Sequence, residues 1–148
     1  MEASEESGEI EAALCRFFGE RGTAEGLAAV YLFGSFARGT AGPASDVDVG
    51  LLYSQAPPPT LEGRGFQIEA ALAILLRRPV EVVVLNDAPV DLTQRVLRDG
   101  RLVYDQGRAR RIAFEIKTRN EFWDLEPFIR RSRERREPLR DRKLAPQS

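Results

Sequence analysis

The sequence predicts an α/β (α+β) domain, a small β-sheet flanked by helices. Three observations lead there: the nearly continuous apolar run Ala28 to Phe33 (AAVYLF), the β-branched run Val80 to Leu85 (VEVVVL), and intervening stretches whose apolar residues recur at helical intervals. A chain of 148 residues suits one domain with one core, and an apolar content of 43% is ordinary for a soluble globular protein. Strand order is not readable from this pattern.

Taken in order, Ile10 to Gly19 reads as a short helix, because Ile10, Leu14, Phe17 and Phe18 fall on one face; Cys15, on the same segment, is expected in the core. Ala28 to Phe33 ends in Gly34 and reads as a strand buried on both faces. Asp46 to Tyr53 (DVDVGLLY) alternates cleanly at its start, and three consecutive prolines close the stretch after it. Leu61 to Arg78 carries Ile68, Leu72, Leu75 and Leu76 at helical spacing, with Pro79 as its stop before the strand Val80 to Leu85. Asp91 to Asp99 reads as a helix ended by Gly100, and Arg101 to Tyr104 as a short edge strand. From Arg108 the residues Phe114, Phe122, Leu125 and Ile129 share a helical face, which Pro127 is expected to kink or divide. The domain is thus expected over 1–129, with its core at 28–104 and a C-terminal helix at 108–129, followed by a basic, frayed tail at 130–148.

Composition narrows the chemistry. The formal net charge is −1, which argues against bulk attraction to nucleic acid. The ends differ: the first eleven residues hold five glutamates and no base, whereas Arg130 to Lys143 holds eight bases against three acids. That basic stretch lacks interleaved aromatics, so a solvated helix is the expectation and direct nucleic-acid binding is not. One cysteine excludes an internal disulfide and a multi-cysteine zinc site; no apolar run is long enough for a signal peptide or membrane span, and a cytoplasmic location is expected. There is no histidine at all. Ser-His-Asp and Cys-His catalysis are therefore impossible within the chain, which leaves carboxylates with hard metal ions, lysine, arginine or a bare hydroxyl.

Residues 34–49, GSFARGTAGPASDVDV, carry the densest signal. Residues two apart on a strand share a face, so Asp46 and Asp48 are expected to project together while Val47, Val49 and Leu51 enter the core. Two carboxylates so placed repel unless a cation lies between them, and oxygen ligands without histidine or cysteine favour Mg²⁺ or Mn²⁺ over zinc. Glu81, a lone acid in an apolar strand, is the expected third carboxylate; Asp87 is in phase with it but roughly 20 Å further along an extended strand. Gly34 lets backbone approach a ligand, and Ser35 offers a hydroxyl and an N–H to phosphate oxygens at the start of a short helix. Arg38 can neutralise phosphate charge, and Gly39 ends the turn. Each feature alone is a common surface device: a Gly-Ser turn, a charged strand start, an edge glutamate, a solvated arginine. Their order and setting make phosphoryl or nucleotidyl transfer with metal assistance the better reading.

The same residues resemble the polymerase-β-type nucleotidyltransferase superfamily, and within it the compact minimal nucleotidyltransferase (MNT) branch, in which a strand, G-S-x-A-R-G, a short loop and S-D-x-D follow one another. The likeness extends through VEVVVLNDAP and LRDGRLVYD to Phe122, Trp123 and Asp124, covering roughly 28–129, with the sixteen-residue stretch its diagnostic part. The resemblance implies a polymerase-β-like fold with a small mixed sheet. It implies that Gly34, Ser35, Arg38, Gly39 and Ser45 hold the nucleotide, that Asp46 and Asp48 bind Mg²⁺ or Mn²⁺, and that Glu81 stands where the family generally has an aspartate that helps activate the acceptor hydroxyl. It further implies an antitoxin of HEPN/MNT toxin–antitoxin pairs, which transfers AMP from ATP to a tyrosine of a HEPN-domain ribonuclease. HEPN ribonucleases need a histidine, so this chain is not the toxin. Two other readings stay open: an impaired antitoxin that neutralises its partner by binding, favoured by Glu81, and, more distantly, a transferase acting on a small molecule.

Overall fold

The computed structural model describes residues 2–61 and 63–144, with side chains for 5–61 and 63–134. Its elements are α1 (Glu2–Arg21), β1 (Leu27–Phe33), α2 (Ser35–Arg38), β2 (Val47–Tyr53), α3 (Phe66–Leu76), β3 (Val80–Val84), a 3₁₀ turn (Leu85–Asp87), α4 (Val90–Asp99), β4 (Arg101–Asp105) and α5 (Arg108–Leu144). The four strands form one mixed sheet in the order β3-β2-β1-β4. Two antiparallel pairings, β1 with β2 and β1 with β4, place the most apolar strand at the centre. The β2–β3 pair is parallel and needs a crossover, which α3 supplies.

Period-two alternation sorts the strands onto two apolar layers. Val30 and Leu32 of β1, Val47, Val49 and Leu51 of β2, and Val84 of β3 pack with Ile10, Leu14, Phe17 and Phe18 of α1 and with Ile68 and Leu72 of α3. On the opposite face Ala29, Tyr31 and Leu52 meet Leu85, Val96 of α4 and Phe114 of α5. Burying β1 almost completely on both faces explains its continuous apolar sequence. The second face also holds a polar anchor: the buried Tyr31 hydroxyl donates to Glu115 Oε2 at 2.7 Å, Arg111 Nη1 donates to the same oxygen at 3.0 Å, and Arg111 Nε lies 3.0 Å from Asp105. Burial, then the bond to Glu115, push the Tyr31 phenol above its ordinary value, so it stays a neutral donor that ties α5 to the sheet.

Four sequence expectations are corrected. The first helix begins at Glu2, well before Ile10. Cys15 is exposed, because the stripe set by Leu14 and Phe18 turns it outward. The helix expected from Leu61 starts at Phe66; Thr60 closes a separate turn, accepting the Gly63 N–H on its hydroxyl at 3.1 Å, and leaves Leu61 67% exposed. Pro127 does not divide the last helix, which continues to Leu144. A proline removes one backbone donor, and here it sits on an exposed stretch where water can take the freed carbonyl. Of the expected tail, 130–144 extends α5, Arg133 reaches Asp91 of α4 at 3.3 Å, and 145–148 lie outside the described residues. No helix among the described residues is long and apolar enough to cross a membrane.

Candidate active site

Where the C-terminal end of β1 meets the start of β2, the second face of the sheet is left partly uncovered. A cleft of about 430 Å³ opens there, lined by Gly34, Ser35, Arg38, Asp48, Glu81, Arg95, Arg98 and Asp99 with Phe33, Val83 and Leu92. Each polar group arrives by a simple local rule. Asp48 pairs with Phe33 across the antiparallel ladder, which sets it beside Gly34, the residue that follows. Glu81 pairs with Asp48 across the parallel ladder, so the two carboxylates share a face while Val47, Val49, Val80 and Val82 pack on the other side.

Gly34 has φ 75° and ψ −154°, a backbone state open essentially to glycine alone. A Cβ there would overlap the Asp48 carboxylate. The strand can therefore end against the aspartate and turn at once into α2, whose first residue is Ser35. Gly34→Ala is expected to cost about 1–3 kcal/mol in backbone strain alone. Melting curves of the variant against wild type check this.

Asp48 is half-buried, and its carboxyl is pushed up to about 6 from 3.8. Desolvation is the largest cause; Glu81, close enough to share a proton with it, and then Asp46 add to it, with Arg38 opposing. Asp46 precedes β2 by one residue, is exposed, and does not line the cleft, although its charge reaches Asp48. Among the described residues no three acidic, cysteine or histidine side chains converge as ligands of one ion. The donor set still fits Mg²⁺ or Mn²⁺, because Mg²⁺ commonly takes one or two carboxylates together with substrate phosphates rather than a cage made wholly of protein.

The remaining sequence-predicted residues have structural posts. Gly39 caps α2 in the left-handed region at φ 76°, its N–H bonded to the Ser35 carbonyl. Ser45 Oγ accepts the Gly42 N–H at 2.8 Å, and Arg78 Nη1 donates to the carbonyls of Ser45 and Pro43 at 3.2 and 3.1 Å. These contacts hold the loop that delivers Asp46 and Asp48, and neither Gly39 nor Ser45 lines the cleft. Asp87 stands away from it, paired with Arg64 at 3.0 Å. Sequence reasoning missed Arg95, Arg98 and Asp99 of α4. Their only signal was two arginines at i and i+3, a spacing that puts both on one side of a helix.

Comparison with known proteins identifies the family and the fold. Residues 22–109 match the family described as Polymerase beta, Nucleotidyltransferase. No match is found among curated proteins. Among solved structures, a chain of a toxin–antitoxin complex crystallised with AMP-PNP shares 24% identity over 90% of this chain and 98% of that one, with a TM-score of 0.66. A chain of the Shewanella oneidensis complex between a tri-AMPylated HEPN toxin and an MNT antitoxin shares 20% identity over 90% and 99%, with a TM-score of 0.61. A chain of a mutant MntA–HpeT toxin–antitoxin complex shares 26% identity over 80% and 87%, with a TM-score of 0.58. The two likenesses below 25% identity speak for the fold.

Proposed function

The chain belongs to the polymerase beta nucleotidyltransferase family, and on that premise we propose that it is an antitoxin that transfers AMP from ATP to a tyrosine of a HEPN ribonuclease toxin. The observation that carries this reading is the register Asp48↔Glu81 in one cleft with Gly34, Ser35 and Arg38, which brings paired carboxylates together with a Gly-Ser turn. Support for AMP as the transferred group, and for the toxin as acceptor, comes from the tri-AMPylated HEPN toxin held by an MNT antitoxin in the Shewanella oneidensis complex.

In the proposed reaction the tyrosine oxygen attacks the α-phosphorus of ATP. The bond from that phosphorus to the oxygen bridging to the β-phosphate breaks, and pyrophosphate leaves. The Gly34–Ser35 turn and Arg38 hold the phosphate chain, orienting the α-phosphorus toward the acceptor. Glu81 receives the phenol proton, and Asp48 would act on the phosphate chain only through the cation it helps to hold. Mg²⁺ or Mn²⁺, held by Asp48 and Glu81 with Asp46 nearby, would supply neutralisation of the carboxylates and phosphates and would acidify the acceptor hydroxyl. The exposed aromatic residues of α5, Trp123 at 72% and Phe128 at 63%, give a protein partner apolar surface to cover.

Intact mass spectrometry of a cognate HEPN toxin, incubated with this protein, ATP and Mg²⁺, tests the reading. The toxin is expected to gain one or more AMP masses, and to gain none with the double variant Asp46→Asn, Asp48→Asn. An unchanged toxin mass, with a stable complex still forming, would instead favour neutralisation by binding alone. That second reading is favoured by Glu81 in place of the aspartate that the family resemblance implies.

A further inference from the structure

We infer that Arg95 of α4 is a ligand of the nucleotide's phosphate chain, with Arg38 as its counterpart from α2, and that Asp99 withholds Arg98 from the same role. The inference deepens the nucleotidyltransferase reading and rests on it. Arg38, Arg95 and Arg98 all line the cleft, joined there by the carboxylates of Asp48, Glu81 and Asp99. These groups are not evenly matched. Arg98 is closed on its neighbour Asp99 in a two-pronged pair, Nε to Oδ1 and Nη2 to Oδ2, both at 3.0 Å. Neither Arg38 nor Arg95 has an ion-pair partner among the described residues. Asp99 is held below the usual carboxylate range, first by its bond to Arg98, with the charges of Arg38 and Arg95 adding to the effect.

Such an arrangement has two uncommitted forks beside a Gly-Ser turn and above a carboxylate pair. Guanidinium forks match phosphate oxygens in planar, two-pronged geometry, and a triphosphate brings several negative charges to a concave site. Once the charges of Asp48 and Glu81 are met by a cation, the arginines exceed the one remaining carboxylate, and the excess faces the place where a phosphate chain would lie. Arg95 sits one helical turn before Arg98, so it presents its charge on the side of α4 already turned to the cleft. Asp99 acts in the opposite sense, as a built-in competitor for the arginines.

The test is calorimetric titration, with Mg²⁺ present, of wild type, Arg95→Ala, Arg95→Lys and Asp99→Asn against AMP, AMP-PNP and inorganic tripolyphosphate. Loss of a charged hydrogen-bonding partner is expected to weaken AMP-PNP and tripolyphosphate binding by about tenfold or more in Arg95→Ala. AMP affinity should be unchanged, lysine should restore part of the loss, and Asp99→Asn should tighten both long-chain ligands. Wild-type affinity for AMP-PNP in Arg95→Ala, or an equal loss for AMP, overturns the assignment while AMP transfer to a toxin continues to support the enzyme. If wild type binds both long ligands through Arg95 yet transfers no AMP, the site stands and the transferase reading falls. Failure of wild type to bind either ligand overturns both.

Discussion

Asp48→Asn is expected to abolish metal-dependent AMP transfer, by about a thousandfold or more given the usual weight of a single preorganised electrostatic group, and at the same time to raise the melting temperature of the metal-free protein near neutral pH. The two effects have one origin. The Asp48 carboxyl titrates at about 6 in the folded protein against 3.8 as its ordinary value. The native state therefore binds a proton more tightly than the unfolded chain does. The stability this group contributes is fully present below about 3.8 and is lost as pH rises through about 6, so at pH 7 its ionised form works against folding. Asparagine removes that opposition while keeping the shape. It also removes a negative charge that the proposed Mg²⁺ would need. Thermal melts of both proteins at pH 5 and pH 7.5, with and without Mg²⁺, separate the terms: the variant's advantage should appear at pH 7.5 and shrink at pH 5, and Mg²⁺ should stabilise wild type more than the variant. Full activity in the variant would remove Asp48 from the mechanism, and a pH-independent difference in melting would remove the electrostatic explanation.

Local pattern was enough to place most of the scaffold. The apolar run before Gly34 reads as a strand buried on both faces, and the alternation at the start of Asp46 to Tyr53 assigns Val47, Val49 and Leu51 to the core. Glu81 stood out because an acid in a valine run needs a reason, and the parallel register puts it beside Asp48. What local pattern could not show was which elements meet in space. The sequence places Arg95, Arg98 and Asp99 on a helix and no more, and they become part of a cleft because β4 returns antiparallel to β1 and draws the end of α4 over the end of that strand. Asp46 reveals a related gap, since two residues share a strand face only if both lie in the strand, and β2 begins at Val47. Leu61 and Pro127 depart from local pattern for opposite reasons: a threonine turn delays the helix that an apolar residue suggests, and a long exposed helix runs through a proline that local pattern treats as a break.

Glu81 supplies the second large effect. Glu81→Gln is expected to reduce AMP transfer by about a hundredfold or more, the usual share of a positioned acid or base, with little change in fold because the side chain is exposed on an edge strand. Its geometry is unusual for a surface acid: it lies opposite Asp48 in the ladder, on the cleft face, and among charged neighbours it does most to raise the Asp48 carboxyl. Neutralising it should therefore also return the Asp48 titration toward its ordinary value, a readout that NMR of the metal-free protein supplies independently of turnover. Glu81→Asp is the sharper comparison. The family resemblance implies an aspartate here, and glutamate carries the carboxylate one methylene further into the cleft, against a cation that tolerates little deviation from about 2.1 Å octahedral contacts. Equal or greater transfer by Glu81→Asp is the expected result, because the shorter side chain restores that geometry from the same backbone position. Complete loss would show instead that this cleft has been refitted around the longer carboxylate. An inactive wild type that Glu81→Asp restores to activity would identify the protein as an antitoxin that binds its partner and has lost catalysis through this one residue.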